Sequence, residues 1–355
     1  MENFRTLDFS HNSIMGIDDN TLVGINTSFL NLSHNNMRKI PTLAFRKLTM
    51  VTNLVLDANL FKTLESKSIH NIRVKFLSIS HSKHLDHLDK GSITHLPLLQ
   101  SITLSNNPSL AYIHPGAISD VPNLINLIIN NNSLSALEDF RPHIPSLRNV
   151  DLKGNVFQCH CSLRWVQNLI RKEDGSSGLV VKDGTEITCG KKRNSLIKVK
   201  LAKAECKPFI LPLFPQSYEA MIGHNLTWLC KMVGSKSGRI AWSLPQGHLL
   251  GDGECWQKRH CVKDGRLFLV FLHPEDAGGY TCSAKNTHGN SSRILYLDVK
   301  VIDQLPFKVE FILPKIHLYH LIRKSLFLGS EHPDVSHFYS FNLPNPQLEH
   351  ITVSL

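Results

Sequence analysis

The strongest constraint on this chain is a repeat. Residues 1–157 are built from a unit of 23 to 25 residues with the pattern LxxLxLxxNxL. Its asparagine position is held by Asn12, Asn35, Asn59, Asn107, Asn132 and Asn155, with Ser82 in that place in the fourth unit. Seven units follow one another in register, the best preserved being "LINLIINNNSL" at 124–134 and "LRNVDLKGNVF" at 147–157. Each unit predicts one short strand whose Leu, Ile and Val point inward. The asparagine amide behind it satisfies backbone groups at the turn. No unit can bury its apolar face without neighbours, so the expected body is a solenoid.

These motifs, with turns such as "LSHNN" and "LSNNPSL", resemble the vertebrate-type class of extracellular leucine-rich repeat proteins. The resemblance implies an α/β solenoid of strands joined by irregular or short helical turns. Ser82 departs from the pattern and predicts a weaker asparagine ladder at that rung. Phe4 already occupies the first position of a repeat, so the N-terminal cap usual in the family is missing, and we expect a fragment, a partial gene model or an isoform.

The first 158 residues hold no cysteine, and the eight that follow fall in two groups, as expected for stapled modules of an oxidising compartment. In the first group, "QCHCSLRW" at 158–165 leads to Cys189 and Cys206. Four cysteines allow three pairings, and a zinc site would need His160 with closure by Cys189 or Cys206. The CxC spacing resembles the C-terminal cap of leucine-rich repeat ectodomains. By that resemblance, Cys159 pairs with Cys189 and Cys161 with Cys206. Ser162 is a suitable N-cap for a helix running to about Lys172, with Trp165, Val166, Leu169 and Ile170 as its apolar stripe.

In the second group, Cys230, Trp242 and "HPEDAGGYTCSAKN" ending the motif at Cys282 match a sandwich in which two cysteines bridge the sheets against a tryptophan, with Tyr280 at the tyrosine corner. Asp276, Gly278, Tyr280 and Cys282 form D-x-G-x-Y-x-C, and the stretch resembles an I-type immunoglobulin-like domain. Cys255 and Cys261 lie outside that pattern and predict an additional local disulfide.

The expected organisation is seven repeats at 1–157, their cap at 158–208, the immunoglobulin-like domain at 209–301 and a tail of unknown structure at 302–355. No run of 18 apolar residues is present, and Pro306, Lys308, Glu310, Pro314, Lys315, Arg323 and Lys324 interrupt the apolar part of the tail, so no membrane span is expected in this chain. Phosphate-binding glycine loops, HExxH and nucleophile elbows are missing too, so neither an enzyme nor a cofactor is expected.

The expected function is extracellular protein recognition in adhesion or receptor signalling, by a secreted form or one truncated from a membrane-anchored form. The alternative is the N-terminal portion of a larger receptor or enzyme. On the concave sheet, Phe29, Val55, Phe76 and Ile128 stand among Asp8, Asn53, Ser78, Thr103 and Asp151 as anchors for a protein ligand or receptor. A second ligand class is set by charge. Residues 159–207 carry eleven Lys and Arg against five Asp and Glu, and Lys191, Lys192, Arg193, Lys198, Lys200, Lys203 and Lys207 cluster at its end. In an extracellular setting the matching polyanion is heparan sulfate rather than nucleic acid. Sequons place candidate glycans at Asn26, Asn31, Asn131, Asn225 and Asn290. The cluster "HSKHLDHLD" at 81–89 is read as a solvated flank rather than a metal site.

Overall fold

A computed structural model describes residues 2–173, 178–202, 206–234 and 238–301, together with a short pair of strands, Tyr339–Phe341 and Ile351–Val353. Residues 1–301 form one compact unit and 302–355 another.

Eight parallel strands in chain order make the concave sheet: β1 (Glu2–Asp8), β2 (Ile25–Asn31), β3 (Met50–Val55), β4 (Val74–Ser78), β5 (Ser101–Thr103), β6 (Asn126–Ile128), β7 (Asn149–Asp151) and β8 (Val180–Lys182). Leu30, Leu54, Leu77, Ile102, Leu127 and Val150 lie in one register row and are all buried. Because side chains alternate along a strand, the residues on either side of this row face outward. One apolar core runs continuously from Leu22 to Leu201.

The asparagine amides tie successive coils together. Asn132 donates through Nδ2 to the Leu104 and Ile129 carbonyls (2.7 and 2.9 Å) and accepts the Asn107 N–H through Oδ1. Asn59 makes the equivalent bonds to Leu32, Leu56 and Met37. At the fourth rung Ser82 is too short to reach the neighbouring coil, and its buried hydroxyl has no hydrogen-bond partner among the described residues. On the opposite side of the coils, short strands form two three-stranded ribbons, one from Thr63–Leu64, His87–Leu88 and Tyr112–Ile113. A single-turn helix, α1 (Thr42–Arg46), fills the same side of the second coil.

The core ends under α2 (Arg164–Ile170), which buries Trp165, Val166 and Gln167. Trp165 donates its indole N–H to the Leu137 carbonyl (3.0 Å) and meets Phe140 edge to face. Gln167 and Arg171 donate to the carbonyls of Leu196, Val199 and Ile197, which pins the following loop. The cap residue differs from the expected Ser162. His160, in extended conformation, accepts the Ser162 N–H on Nδ1, and a 3-10 turn at Cys161–Leu163 precedes the helix. Ser162 therefore lies inside the turn rather than before it. Disulfides join Cys159 to Cys189 and Cys161 to Cys206.

The second body is a sandwich. One sheet has the order β9-β17-β16-β11-β12, made of β9 (Ser217–Met221), β11 (Arg239–Ser243), β12 (Leu249–Gly251), β16 (Gly278–Asn286) and β17 (Gly289–Lys300). The other is β10-β15-β14-β13, made of β10 (Leu226–Leu229), β13 (Cys255–Trp256), β14 (His260–Lys263) and β15 (Arg266–Leu269). Cys230 bonds to Cys282 across the core, and Trp242, fully buried, pairs with Cys282 on the neighbouring strand. The Tyr280 hydroxyl donates to the Asp276 carbonyl (2.7 Å), closing the tyrosine corner. Cys255 and Cys261 face each other and bond across the β13–β14 hairpin.

Candidate functional site

The concave sheet presents two outward columns. One runs Thr6, Phe29, Asn53, Phe76, Ser101, Asn126, Asn149; the other runs Asp8, Asn31, Val55, Ser78, Thr103, Ile128, Asp151. The four expected anchors therefore fall on one face but not in one cluster. Phe29 and Phe76 flank Asn53 in the first column, Val55 sits in the second, and Ile128 lies two strands beyond Phe76. Phe76 is the most open of them, at 39% exposure, while Phe29, Val55 and Ile128 are half-buried against their neighbours. Polar residues on and around this face are held in place: Ser78 donates to Asp57 (2.7 Å), Asn149 to Asn126 (2.9 Å) and Asn130 to Asp151 (3.1 Å). The surface is pre-formed, so a partner docking there orders few side chains.

Asn31 stands directly beside Val55 in the second column. A glycan on Asn31 would cover that end of the sheet and leave Phe76 and Ile128 uncovered. The acceptors Asn131, Asn225 and Asn290 are exposed, while Asn26 is half-buried.

In the cap, Lys191, Lys192, Arg193, Lys198 and Lys200 are exposed, and none of them is ion-paired with another described residue. Lys203 lies outside the described residues. Lys191 and Arg193 border a groove of about 510 Å³ that also takes in Lys153, Gly154, Thr188 and Gly190.

The histidine cluster at 81–89 is a correction to the solvated-flank reading. His81 and His84 are exposed, but His87 is buried, held by Asp86 on Nδ1 and set 3.7 Å from Asp89 on Nε2. Its cover comes from the second body. Arg266 of β15 donates to Asp89 (2.7 Å) and lies 3.2 Å from His87. Beside this contact, Tyr112 and Ala136 of the repeats bury with Leu211 and Val233, and Phe209 and Leu213 pack on them. Burial raises the Glu138 carboxyl above its ordinary value against the pull of Lys231, and lowers His114 to about 4, with Lys231 and Lys90 adding to the effect. His160 extends the joint, its Nε2 lying 3.1 Å from the Lys207 carbonyl, and Asn286 donates to the Cys206 carbonyl (2.8 Å). His160, Cys161 and Cys206 come together there, but the two sulfurs are bonded to each other and offer no thiolate to a metal.

Two family models match the chain. Leucine rich repeat covers residues 72–134, and Immunoglobulin I-set domain covers residues 211–299. The chain thus carries both leucine-rich repeats and an immunoglobulin I-set domain. Among the relatives of this leucine-rich repeat and immunoglobulin-like protein is Leucine-rich repeat and fibronectin type III domain-containing protein 1 of Danio rerio, 22% identical over 76% of this chain and 38% of the relative. Leucine-rich repeat and fibronectin type-III domain-containing protein 2 of Homo sapiens is 28% identical over 46% of this chain and 19% of the relative. Human Matrix-remodeling-associated protein 5 is 27% identical over 33% of this chain and 4% of its own length. This leucine-rich repeat and immunoglobulin-like protein thus spans well under half of the curated relatives it matches. Among solved structures it resembles the Ig-like domain of human Leucine-rich repeat-containing protein 4, with 26% identity, a TM-score of 0.23, and coverage of 25% of this chain and 85% of that one. Tandem Ig repeats of Dlar match at 29% identity and a TM-score of 0.23, covering 26% of this chain and 48% of that one. Four disulfides fit an oxidising, extracytoplasmic setting, and among the described residues no helix is long and apolar enough to cross a membrane.

Proposed function

We propose that this protein is an extracellular, non-enzymatic recognition module for adhesion or receptor signalling, and that it grips a protein partner on the concave sheet. The supporting observation is the open Phe76 ring on a rigid parallel sheet, flanked by hydrogen-bonded polar side chains and continued by Ile128. Burying such an aromatic contributes about 2 kcal/mol and makes it the natural anchor. The portion seen here acts secreted or as the outer part of a membrane-anchored form. The test is an ectodomain binding screen with the wild-type chain and Phe76→Asp. Loss of capture by a variant with an unchanged melting temperature supports the reading, and unaltered capture removes Phe76 from the site.

A second reading is carried by the cap. Five exposed basic side chains with no ion-pair partner among the described residues, Lys191 and Arg193 at the rim of a groove, suit a sulfated glycan such as heparan sulfate. Salt-dependent retention on heparin, reduced by Lys191→Glu with Arg193→Glu, supports it. Elution no later than from an uncharged column overturns it.

A further inference from the structure

We propose that the outer face of the five-stranded immunoglobulin sheet is a self-complementary docking surface for a second copy of this chain, packed antiparallel about a two-fold axis. The inference is independent of the ligand read for the concave sheet. It uses the sheet opposite the one that carries Arg266, which grips Asp89.

Cross-strand register lays this face out in rows. Glu219 lies opposite Asp298 near one end, one row inside Met221 and Lys300, and Lys285 lies opposite Arg239 at the other end. Between them come a row of Ser217, Tyr296 and Gly279, a row of Ile294, Thr281, Ser243 and Leu249, and a row of Ser292, Ser283, Ala241 and Gly251. Tyr296 is 61% exposed, Leu249 65% and Ile294 44%. The Tyr296 ring lies over Gly279, which leaves a ridge of Tyr296 and Ile294 beside a floor of small residues.

Each end holds two like charges directly opposite one another, an arrangement that costs energy in a free sheet. Lys300 offsets the acidic pair, 2.6 Å from Asp298 and 4.0 Å from Glu219, whereas Lys285 and Arg239 have no acidic partner among the described residues. A two-fold apposition places the basic end of each copy on the acidic end of the other. The same rotation lowers the ridge of one copy onto the small-residue floor of its mate. An isologous contact needs that kind of self-complementarity. Five strands about 4.8 Å apart and a length of about 30 Å give roughly 600 Å² per copy, the size of a weak, concentration-dependent interface.

Asn290, a candidate glycan acceptor, pairs with Lys285 at the basic rim, so the test uses the full chain carrying Asn290→Gln. Sedimentation equilibrium should show the mean mass rising toward a dimer between about 1 and 100 μM, the range of weak interfaces. Tyr296→Arg should weaken association by about tenfold or more, as for a central anchor. Making both ends basic (Glu219→Lys with Asp298→Lys), or both acidic (Arg239→Glu with Lys285→Glu), should abolish self-association in each variant, and an equimolar mixture should restore it. A monomer throughout, an indifferent Tyr296→Arg, or a mixture that stays monomeric overturns the proposal.

Discussion

Arg266 of the immunoglobulin-like body lies 2.7 Å from Asp89 of the repeats, 177 residues away in sequence, and the same guanidinium reaches His87 at 3.2 Å. This pair, with Tyr112, Ala136, Leu211 and Val233 beside it, makes the junction a packed joint rather than a free linker.

Removing both kinds of contact should loosen the joint. Arg266→Ala is expected to cost about 1 kcal/mol, since the pair is partly exposed, and adding Val233→Asp should free the second body. Small-angle scattering reports the result as a larger maximum dimension for the double variant, with little change for Arg266→Ala. An unchanged profile for the double variant would show that the disulfide-closed segment holds the joint unaided.

The asparagine ladder should be repairable. Ser82→Asn places an amide where a buried hydroxyl has no partner, and is expected to stabilise the protein by about 1 kcal/mol. A melting temperature raised by a few degrees confirms it. An equal or lower value means the backbone at that rung has moved too far for the amide to reach.

Asp276 links the sandwich to pH. Burial would raise its carboxyl, but hydrogen bonds from His260, Arg259 and the His273 backbone outweigh it and hold the group at about 2. A depressed carboxylate stabilises the fold fully above its unfolded value near 4, and that contribution is lost as pH falls toward 2. Urea unfolding between pH 5 and pH 2 should therefore show a loss of about 2 kcal/mol from this group. Asp276→Asn should start lower and slope less across the same window.

The disulfides should rank by the length of chain they close. Replacing Cys159 and Cys189 with Ser is expected to cost about 3.5 kcal/mol, against about 2 kcal/mol for Cys255 and Cys261, because the closed segments are 30 and 6 residues apart. Denaturant midpoints give the order. A larger cost for the short hairpin would mean that the chain-entropy account fails here.

Much of this architecture was legible because its causes are local. Inward leucines recur with the coil, the asparagine column marks each turn, and D-x-G-x-Y-x-C surrounds a buried tyrosine. What escaped was produced by chain distant in sequence. His87 occupies a flank position that faces solvent in an isolated repeat, and it is buried because β15, far along the chain, docks on it. His160 took the capping role of Ser162 because the CxC turn starts two residues earlier than the polar spacing suggested. The rows of the immunoglobulin face were hidden for a similar reason, since alternation along one strand does not say which residues become neighbours across four others.

The most direct test of recognition on the concave sheet is a glycan wedge. Ser101→Asn creates the sequon Asn-Ile-Thr on β5, in the column that joins Phe76 to Asn126. Capture of the partner found by the ectodomain screen should be lost when this glycan is present, with secretion and melting temperature unchanged. Undiminished capture by the fully glycosylated variant would contradict the account.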